Sequence, residues 1–386
     1  MPSCGRLGTA RLETGDGLPS GPTKLESKTN APIGEKNLST QYMPWAKLRS
    51  HAKYNLATSG VAHWKLSDLP IKIEDLEISG PSFYGFEPLQ SALSKHCGVP
   101  SNRIIAATGT SMANYLAMAS ILKPGDEVLI EHPTYELIVD AALEIRAQIR
   151  RYKRSQSAFS VDLRSIKDAL SPATKLIVLS NLHNPTSALI DEATMKDIGS
   201  LGVRVMVDEV YLDAAFEQAP RSAGLLGDQF IVTSSLTKVY GLSGLRCGWI
   251  LAEPSLVERM WQLNDKFGNI PAHMAELASV IALGELPRIA KNVKARLHAN
   301  RIALWKFLDS RQDLEVFRPP FGTVVFPRLK RGSVDQMCDL LRTKYDTTVV
   351  PGKFFDMPDH FRIGIGGDLE PLEEGLRRLS LALDEL

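Results

Sequence analysis

Apolar runs rich in β-branched residues alternate with helical patterns through the middle of the chain. A helix is predicted over Met112–Leu122, and strands are predicted over Arg103–Ala107, Glu127–Glu131, Lys175–Ser180, Val203–Val207 and Gln229–Thr233. This alternation is typical of a mainly parallel sheet that is covered by helices on both faces. Ligands of such sheets bind beyond the carboxyl ends of the strands. The polar residues that follow each apolar run are therefore the candidates for function.

The pattern changes after about residue 285. A long helix is predicted over Ile289–Leu308, followed by short strands over Thr323–Phe326, Thr348–Val350 and His360–Ile365 and a last helix over Leu372–Leu386. These elements indicate a second, smaller α+β domain. We therefore divide the chain into a flexible, polar arm (1–40), an N-terminal segment that packs with the small domain (41–80), a large α/β domain (81–288) and the small domain (289–386).

The composition limits which binding partners and which cellular compartment are expected. The chain has 386 residues, 44% of them hydrophobic, and a net charge of +1, which gives no indication of a nucleic-acid partner. The short basic run Arg146–Arg154 is interpreted as a solvated strand or helix edge. No apolar run has the length of a membrane span, and no signal-peptide core is seen. Four separated cysteines without metal-binding spacing (Cys4, Cys97, Cys247 and Cys338) favour free thiols in the cytoplasm and no metal site.

Three small polar clusters follow predicted strands, and each has an ordinary explanation when taken alone. Gly109-Thr110-Ser111 opens a helix with hydroxyl groups and free N–H groups, which suits a phosphate but equally an N-cap. Tyr135 could stack on a flat ring or simply pack in a loop. Asn184 precedes a proline in a common type of turn.

Two further clusters place charged side chains among apolar residues. Asp208 ends a predicted strand, and a buried carboxylate needs a positive partner such as a protonated ring nitrogen. Tyr211 follows closely enough to share that site. In the segment SSLTKVYGLSGLRCGW, Lys238 lies among small and apolar residues, and Arg246 follows between glycines. A desolvated lysine near another cation has a lowered pKa and forms Schiff bases readily.

In this order along the chain, the clusters resemble the class I/II aminotransferase family, whose members depend on pyridoxal 5′-phosphate (PLP) and are similar to aspartate aminotransferase. The resemblance covers residues 41–386 and includes YGFEPLQSAL, KPGDEVLIEHPTYE, the Asn-Pro-Thr turn, VDEVY and SSLTK with GLRCGW. It implies PLP-transferase fold type I, a three-layer sandwich with a mainly parallel central sheet and a smaller α+β C-terminal domain. The large domain would then bind PLP.

The resemblance also implies roles around the PLP ring. Lys238 would form the internal aldimine and carry out the 1,3-prototropic shift that precedes ketimine hydrolysis. Asp208 would keep the pyridine nitrogen protonated. Asn184 and Tyr211 would hydrogen-bond the 3′-oxygen, and Tyr135 would stack on the ring.

The phosphate and the substrate would be held by residues on either side of the ring. By resemblance, the phosphate ligands are Gly109, Thr110, Ser111, Ser235 and Arg246, with Tyr84 reaching across a homodimer interface from the partner. Arg362, in FRIGIGG, would clamp the substrate α-carboxylate through its planar fork. Gly60 would leave room for that carboxylate, and Asn184 would lie beside it.

Two departures from the family pattern bear on function. Ser187 stands where the family has the glycine of its Asn-Pro-Thr-Gly turn, which we interpret as a tolerated change. No arginine lies between Lys266 and Arg288, where dicarboxylate-specific relatives carry one. Specificity for aspartate or glutamate by that device is not expected.

The sequence therefore predicts an amino acid:2-oxo acid aminotransferase acting on small molecules. The alternative is a PLP-dependent lyase or synthase that catalyses elimination, replacement or cyclisation, as in enzymes like aminocyclopropane-carboxylate synthase. A non-catalytic PLP-binding module is a third reading. The arm before Tyr42 is short and poorly patterned for the DNA-binding domain of such regulators.

Overall fold

The computed structural model describes residues 41–81 and 83–386, so the arm predicted for residues 1–40 lies outside the described residues. The strands are β1 (Tyr54–Asn55), β2 (Ile104–Thr108), β3 (Glu127–His132), β4 (Gln148–Lys153), β5 (Thr174–Ser180), β6 (Arg204–Asp208), β7 (Phe230–Ser235), β8 (Cys247–Leu251), β9 (Leu314–Glu315), β10 (Val324–Val325), β11 (Arg328–Leu329), β12 (Thr347–Thr348), β13 (Val350–Pro351) and β14 (Phe361–Gly364). The α-helices are α1 (Tyr42–Leu48), α2 (Glu87–Cys97), α3 (Gly109–Ile121), α4 (Glu136–Glu144), α5 (Leu163–Ala169), α6 (Glu192–Gly199), α7 (Pro254–Asn264), α8 (His273–Asp309), α9 (Val334–Lys344) and α10 (Leu369–Asp384).

A seven-stranded sheet forms the centre of the large domain, in the order β2-β8-β7-β6-β5-β3-β4. Strand β8 is antiparallel to both of its neighbours, whereas the pairs from β7 to β4 are parallel. The predicted strands lie within one or two residues of the observed ones. The mainly parallel α/β fold predicted from the sequence is confirmed.

Alternating side chains of the strands build a core on each face of this sheet. In β2, Ile104 and Ala106 join one apolar cluster, and Ile105 and Ala107 join the other. Helices α3, α4 and α7 pack in the second cluster, and α2, α6 and α8 pack in the first. Because both faces are covered, inner strands such as β2, β5 and β6 have continuous apolar runs, and polar side chains are placed near their ends.

Small sheets accompany the C-terminal elements, as the sequence predicted. Strands β10, β14 and β13 form an antiparallel sheet, and β9 pairs with β11 in the same sense. Strand β1 pairs in parallel with β12. This pairing joins the first described segment to the C-terminal elements, and it places residues 56–61 between the two parts of the fold.

Helix α8 begins well before the predicted start at Ile289. It runs without interruption from His273 to Asp309 and contains Pro287. A proline disfavours the helical conformation of the preceding residue, so the sequence around it looks like a boundary. The predicted domain boundary at residues 288 and 289 therefore falls inside one helix, and the division into domains stays a prediction. In the described residues, α8 and the shorter helices all lack the combination of length and apolar content that would span a membrane.

Most of the basic run Arg146–Arg154 forms the edge strand β4. Arg154 follows directly after this strand, and its side chain is not solvated. The Arg154 side chain has no exposed surface, and its Nε donates to Glu131 Oε2 at 2.8 Å. Glu131 belongs to β3 and is equally buried. Arg154 was interpreted wrongly as part of a solvated edge, because a buried carboxylate on the neighbouring strand requires a cation at that position.

Candidate active site

A cavity of about 290 Å³ opens at the carboxyl end of the sheet. The residues that line it and that the sequence predicted are Thr110, Ser111, Tyr135, Asn184, Asp208, Tyr211, Ser235, Lys238 and Arg246. Sequence reasoning missed the other lining residues, which are Tyr42, Met43, Ala46, Ser59, Asn114, Ile138, Ser180, Thr237 and Val210. The cavity thus brings together side chains from strand ends, from α1, and from the start of α3.

Hydroxyl groups and a guanidinium surround the start of α3. Thr110 Oγ1 donates to Ser235 Oγ at 2.8 Å, and Arg246 Nη2 donates to the Thr108 carbonyl oxygen at 3.2 Å. Gly109 has a φ of +77°, and a Cβ at this position would lie 2.3 Å from Arg246 Nη2. The glycine therefore allows the arginine to approach the helix N-terminus. Together with the helix dipole, these donors suit an anion such as phosphate.

Asp208 ends β6 with its carboxylate buried in the cavity wall. Its Oδ2 accepts a hydrogen bond from Asn114 Nδ2 at 2.9 Å, and its Oδ1 accepts one from the Val210 amide at 3.0 Å. Burial raises the pKa of Asp208 to about 6, although these hydrogen bonds and the Lys238 charge oppose the rise. A cationic partner inside the cavity would therefore stabilise the charged form of Asp208.

Asn114 was missed, although its position on α3 could have indicated it. It lies one helical turn after Thr110, on the same face of the helix. Its Oδ1 accepts from Thr233 Oγ1 at 2.5 Å, which fixes the amide so that its NH₂ group points to Asp208. Two polar residues four positions apart after a predicted strand were the available signal.

Lys238 places its amine in the same cavity. Its Nζ donates to Ser59 Oγ at 3.0 Å. Burial lowers the pKa of Lys238, and the nearby charges of Arg362 and Arg246 lower it further, whereas Tyr42 and Asp208 oppose this. The amine is therefore more often neutral, and a better base, than a solvated lysine at the same pH.

Tyr211 and Tyr135 complete the walls around Lys238 and Asp208. Burial raises the pKa of Tyr211 to about 12, so its phenol stays protonated at neutral pH. Tyr135 is partly buried, which raises the pKa of its phenol, and it makes an edge-to-face contact with Tyr42, with ring centroids 5.5 Å apart. Both rings therefore stand against the cavity as neutral groups.

Arg362 lies directly behind this wall, on β14. It has no exposed surface, and its guanidinium donates to Asn184 Oδ1 at 2.9 Å and to Tyr42 Oη and the Ala57 carbonyl oxygen at 3.1 Å each. Its Nε has no hydrogen-bond partner among the described residues. Burial raises the pKa of Tyr42, but the charges of Arg362 and Lys238 lower it below its usual value. The arginine thus attracts negative charge to this corner of the cavity.

The buried Glu131–Arg154 ion pair supports Asn184 indirectly, through Ser180. Glu131 Oε1 accepts from the Ser180 amide at 2.8 Å and from Ser180 Oγ at 2.7 Å. Ser180 Oγ in turn accepts from the Asn184 amide at 3.3 Å. Burial raises the pKa of Glu131, and the Arg154 charge opposes this. The Glu131 carboxylate near the end of β3 could have indicated a buried ion pair. Its partner, Arg154, was not evident because it follows a different strand, β4.

Four predicted site residues do not line the cavity: Gly109 and Arg362, which border it as described above, and Tyr84 and Gly60, which lie outside it. Tyr84 is 61% exposed, and its hydroxyl donates to Asp265 Oδ2 at 2.8 Å. Gly60 lines a neighbouring cavity of about 180 Å³. A Cβ on Gly60 would lie 3.2 Å from the Lys238 carbonyl oxygen, so this glycine allows a close approach of two backbones.

Ser187 shows how the chain accommodates its departure from the family turn. Its φ is +60°, in the left-handed region that favours glycine. Its Oγ donates to the Val324 carbonyl oxygen at 2.8 Å. A Cβ on Gly322 would lie 2.2 Å from that Oγ, so a glycine on the facing segment makes the space. Gly322 thus makes room for the Ser187 side chain in this turn.

Comparison with known proteins identifies the family of this chain. The family described as aminotransferase class I and II matches residues 78–379. Capreomycidine synthase of Streptomyces vinaceus is 27% identical over 349 residues, which cover 85% of this chain and 89% of that protein. Arginine–pyruvate transaminase AruH of Pseudomonas aeruginosa is 26% identical over 306 residues, which cover 75% of this chain and 76% of that protein.

The fold agrees as well. The crystal structure of a PLP-dependent aminotransferase from Streptococcus suis superimposes with a TM-score of 0.83 at 24% identity, and the match covers 88% of this chain and 96% of that one. Residues 78–379, which match the family, include every strand of the central sheet and the helix N-terminus beside Arg246. The chain therefore belongs to the PLP-dependent class I and II aminotransferase family, of fold type I.

Proposed function

We propose that this protein binds PLP and transfers an amino group between an amino acid and a 2-oxo acid. The observation that carries the proposal is that Lys238 and Asp208 face one cavity whose far end is lined with anion-binding groups. PLP has an aldehyde, a basic ring nitrogen and a phosphate, and these need an amine, a carboxylate and a set of donors. When bound, PLP supplies an electron-accepting ring that stabilises negative charge at the substrate Cα.

The described residues fit this cofactor. The phosphate would be held by Thr110, Ser111, Ser235, Arg246 and the α3 N-terminus beside Gly109. The ring nitrogen would pair with Asp208, whose buried carboxylate has hydrogen bonds but no ion-pair partner among the described residues. Asn184 and Tyr211 would bind the 3′-oxygen, and Tyr135 would cover the ring.

Lys238 is proposed to move the proton at the substrate Cα. The Lys238 amine lies in the cavity, and because its pKa is lowered, a larger share of it is in the neutral, proton-accepting form than for a solvated lysine. The same amine can return the proton, since no other lysine lines the cavity in the described residues. Asp208 assists by keeping the ring nitrogen charged.

Arg362 is proposed to bind the substrate α-carboxylate. The guanidinium is planar and fully buried, and its contact with Tyr42 can be exchanged for a carboxylate, which is the stronger acceptor. Asn184 contacts both Arg362 and the cavity, so it would lie between the carboxylate and the cofactor. Gly60 would leave space on the same side. Binding at Arg362 would orient the Cα–H bond toward Lys238.

A lyase or synthase is the second candidate, because the chain is 27% identical to capreomycidine synthase over most of its length. The contacts proposed for PLP would serve elimination, replacement or cyclisation equally well. These reactions differ in the fate of the nitrogen. Transfer would leave it on the cofactor as an amine, elimination would release it as ammonia, and replacement or cyclisation would keep it in the product.

A half-reaction separates the candidates. The holoenzyme is mixed with single amino acids, without a 2-oxo acid, and the cofactor spectrum, the 2-oxo acid and ammonia are measured. We expect stoichiometric conversion of the cofactor to its amine form with release of the matching 2-oxo acid. Lys238→Ala should not convert, because it lacks the base, and borohydride followed by peptide mapping should label Lys238 in the wild-type protein. Consumption of the amino acid with the cofactor unchanged, as followed by chromatography of the same mixtures, would favour the lyase or synthase, with ammonia released by elimination and none by cyclisation. No loss of any amino acid would favour a binding module.

Arg362→Lys tests the carboxylate site. A lysine keeps the positive charge but cannot grip two oxygens, so it does not fix the orientation of the substrate. We expect kcat/KM to fall about a hundredfold or more, which is ~2.7 kcal/mol of transition-state stabilisation. The affinity for PLP should change little, because Arg246 is intact. A variant with normal turnover would show that the carboxylate binds elsewhere.

We also propose that the active unit is a homodimer. The segment before α2 exposes Ile73, Ile78 and Phe83, which are 81%, 86% and 73% exposed. A Cβ on Gly80 would lie 2.3 Å from His273, so this segment packs on the start of α8, where the apolar side chain of Met274 is 44% exposed. An apolar surface of this kind is typical of an interface. Tyr84 lies on it and would reach the partner's phosphate.

Mixed dimers test this interface. Lys238→Ala lacks the amine but has Tyr84, and Tyr84→Ala has the amine. If each site takes Tyr84 from the partner, co-expression of the two variants should restore activity above that of either one alone, because one site of the mixed dimer is intact. Light scattering should give a mass of two chains. Mixing without any gain would reject the role of Tyr84, and a mass of one chain in an active preparation would reject the dimer.

The compartment stays a prediction as well. The cysteines Cys97, Cys247 and Cys338 are unpaired in the described residues, which agrees with the proposed cytoplasmic location. Recovery of the protein in a membrane or secreted fraction of its source cells would contradict it.

A further inference from the structure

Ser59 touches the two groups of the cavity that would handle protons. Its Oγ accepts from Lys238 Nζ at 3.0 Å. It also faces the Tyr211 phenol, where its hydrogen bond lowers the pKa that burial raises. Ser59 is itself buried, with 6% of its surface exposed. A hydroxyl between an amine and a phenol can accept a hydrogen bond from one and make a second with the other.

Independent contacts fix the position of this hydroxyl. Thr323 Oγ1 donates to the Ser59 carbonyl oxygen at 2.7 Å, and Thr323 is completely buried. Two residues further on, the Val61 amide donates to the Lys238 carbonyl oxygen at 2.9 Å. The close approach at Gly60 brings the same two backbones together. The segment that carries Ser59 is thus attached to the backbone of Lys238 on one side and to the C-terminal elements on the other.

These contacts distinguish Ser59 from an ordinary buried serine. Ser120, for example, is equally buried, but its Oγ donates to the Ala117 carbonyl oxygen of its own helix. The hydroxyl of Ser59 has as its partner the side chain that must move during the proposed reaction. A lysine side chain has four rotatable carbon–carbon bonds and holds no fixed position by itself.

We propose that Ser59 is a positioning residue that holds the amine of Lys238 beside Tyr211 once the substrate has displaced it from the cofactor. This inference rests on the proposed function and deepens it. By accepting a hydrogen bond, Ser59 keeps the free amine within reach of the proton at the substrate Cα. It also favours the ammonium form, in which all three N–H bonds are available as donors.

The direction in which Ser59 shifts the pKa of Lys238 follows from this contact. A hydrogen bond donated by the ammonium favours the charged form, so Ser59 raises the pKa of Lys238 and opposes the lowering caused by burial. Removal of the hydroxyl should move the protonation of the amine to lower pH. A serine that only supports packing would leave this protonation unchanged.

The test compares Ser59→Ala with Ser59→Thr, which keeps the hydroxyl, and with Ser120→Ala, which removes a buried hydroxyl outside the cavity. In the full-length protein freed of cofactor, the reaction of Lys238 with an amine-directed reagent is followed against pH by peptide mass spectrometry. In the holoenzyme, kcat, KM and the isotope effect with an α-deuterated amino acid are measured for the substrate of the half-reaction.

For Ser59→Ala we expect kcat to fall about 10- to 100-fold, with KM changed less than about threefold, because the lost hydrogen bond involves a charged group. The isotope effect should increase as proton transfer becomes slower, and the reactivity profile of Lys238 should move to lower pH. Ser59→Thr and Ser120→Ala should stay near the wild type in all of these measurements.

Other outcomes would overturn the proposal. One is a Ser59→Ala variant whose reactivity profile and kcat match those of Ser120→Ala. Another is a folded Ser59→Thr variant that is as impaired as Ser59→Ala, since this would assign the effect to packing. A failure of the proposed function can be distinguished from a failure of this inference. In the first case borohydride would label a lysine other than Lys238. The pH profile of Lys238 in the cofactor-free protein would still show whether Ser59 affects its protonation.

Discussion

A carboxylate buried at the end of a strand is the constraint on which the site depends. Asp208 follows three apolar residues of β6, and its charge is stabilised by Asn114 and by a backbone amide. Asn114 is in turn fixed by Thr233 on β7, the strand next to β6 in the sheet. Burial still raises the pKa of Asp208 to about 6, so its ionisation is incompletely compensated until a cation enters the cavity. The positively charged ring nitrogen that we propose to bind here would supply this compensation.

The cations of the cavity are arranged around this carboxylate without touching it. Lys238 is held by Ser59, Arg362 by Asn184 and Tyr42, and Arg246 by the backbone before α3. Burial lowers the pKa of Lys238, and the charges of Arg362 and Arg246 lower it further. These cations would favour the two anions that we propose, a phosphate at one end and a carboxylate at the other. Segments distant in sequence supply these contacts, so the sheet alone does not complete the site.

The sequence predicted what is local and missed what depends on contacts between segments. Strands such as β3 and β5 were found because covering both faces requires continuous apolar runs. Residues that follow strands, such as Asp208 and Asn184, were found for the same reason. Ser59 and Tyr42 were missed because they reach the cavity only through the pairing of β1 with β12 and the contact of α1 with Arg362. The start of α8 was missed because Pro287 looks like a boundary although the helix continues through it.

The central claim is tested most directly by the half-reaction rate of Asp208→Asn. The substitution keeps the shape of the side chain and removes its charge, and Asp213→Asn is the control, since Asp213 accepts a hydrogen bond from Tyr240 outside the cavity. We expect Asp208→Asn to retain PLP through its phosphate but to convert amino acid at least about a hundredfold more slowly, because the ring nitrogen is no longer held protonated. Asp213→Asn should react at nearly the wild-type rate. A rate for Asp208→Asn close to that of the control would contradict the account.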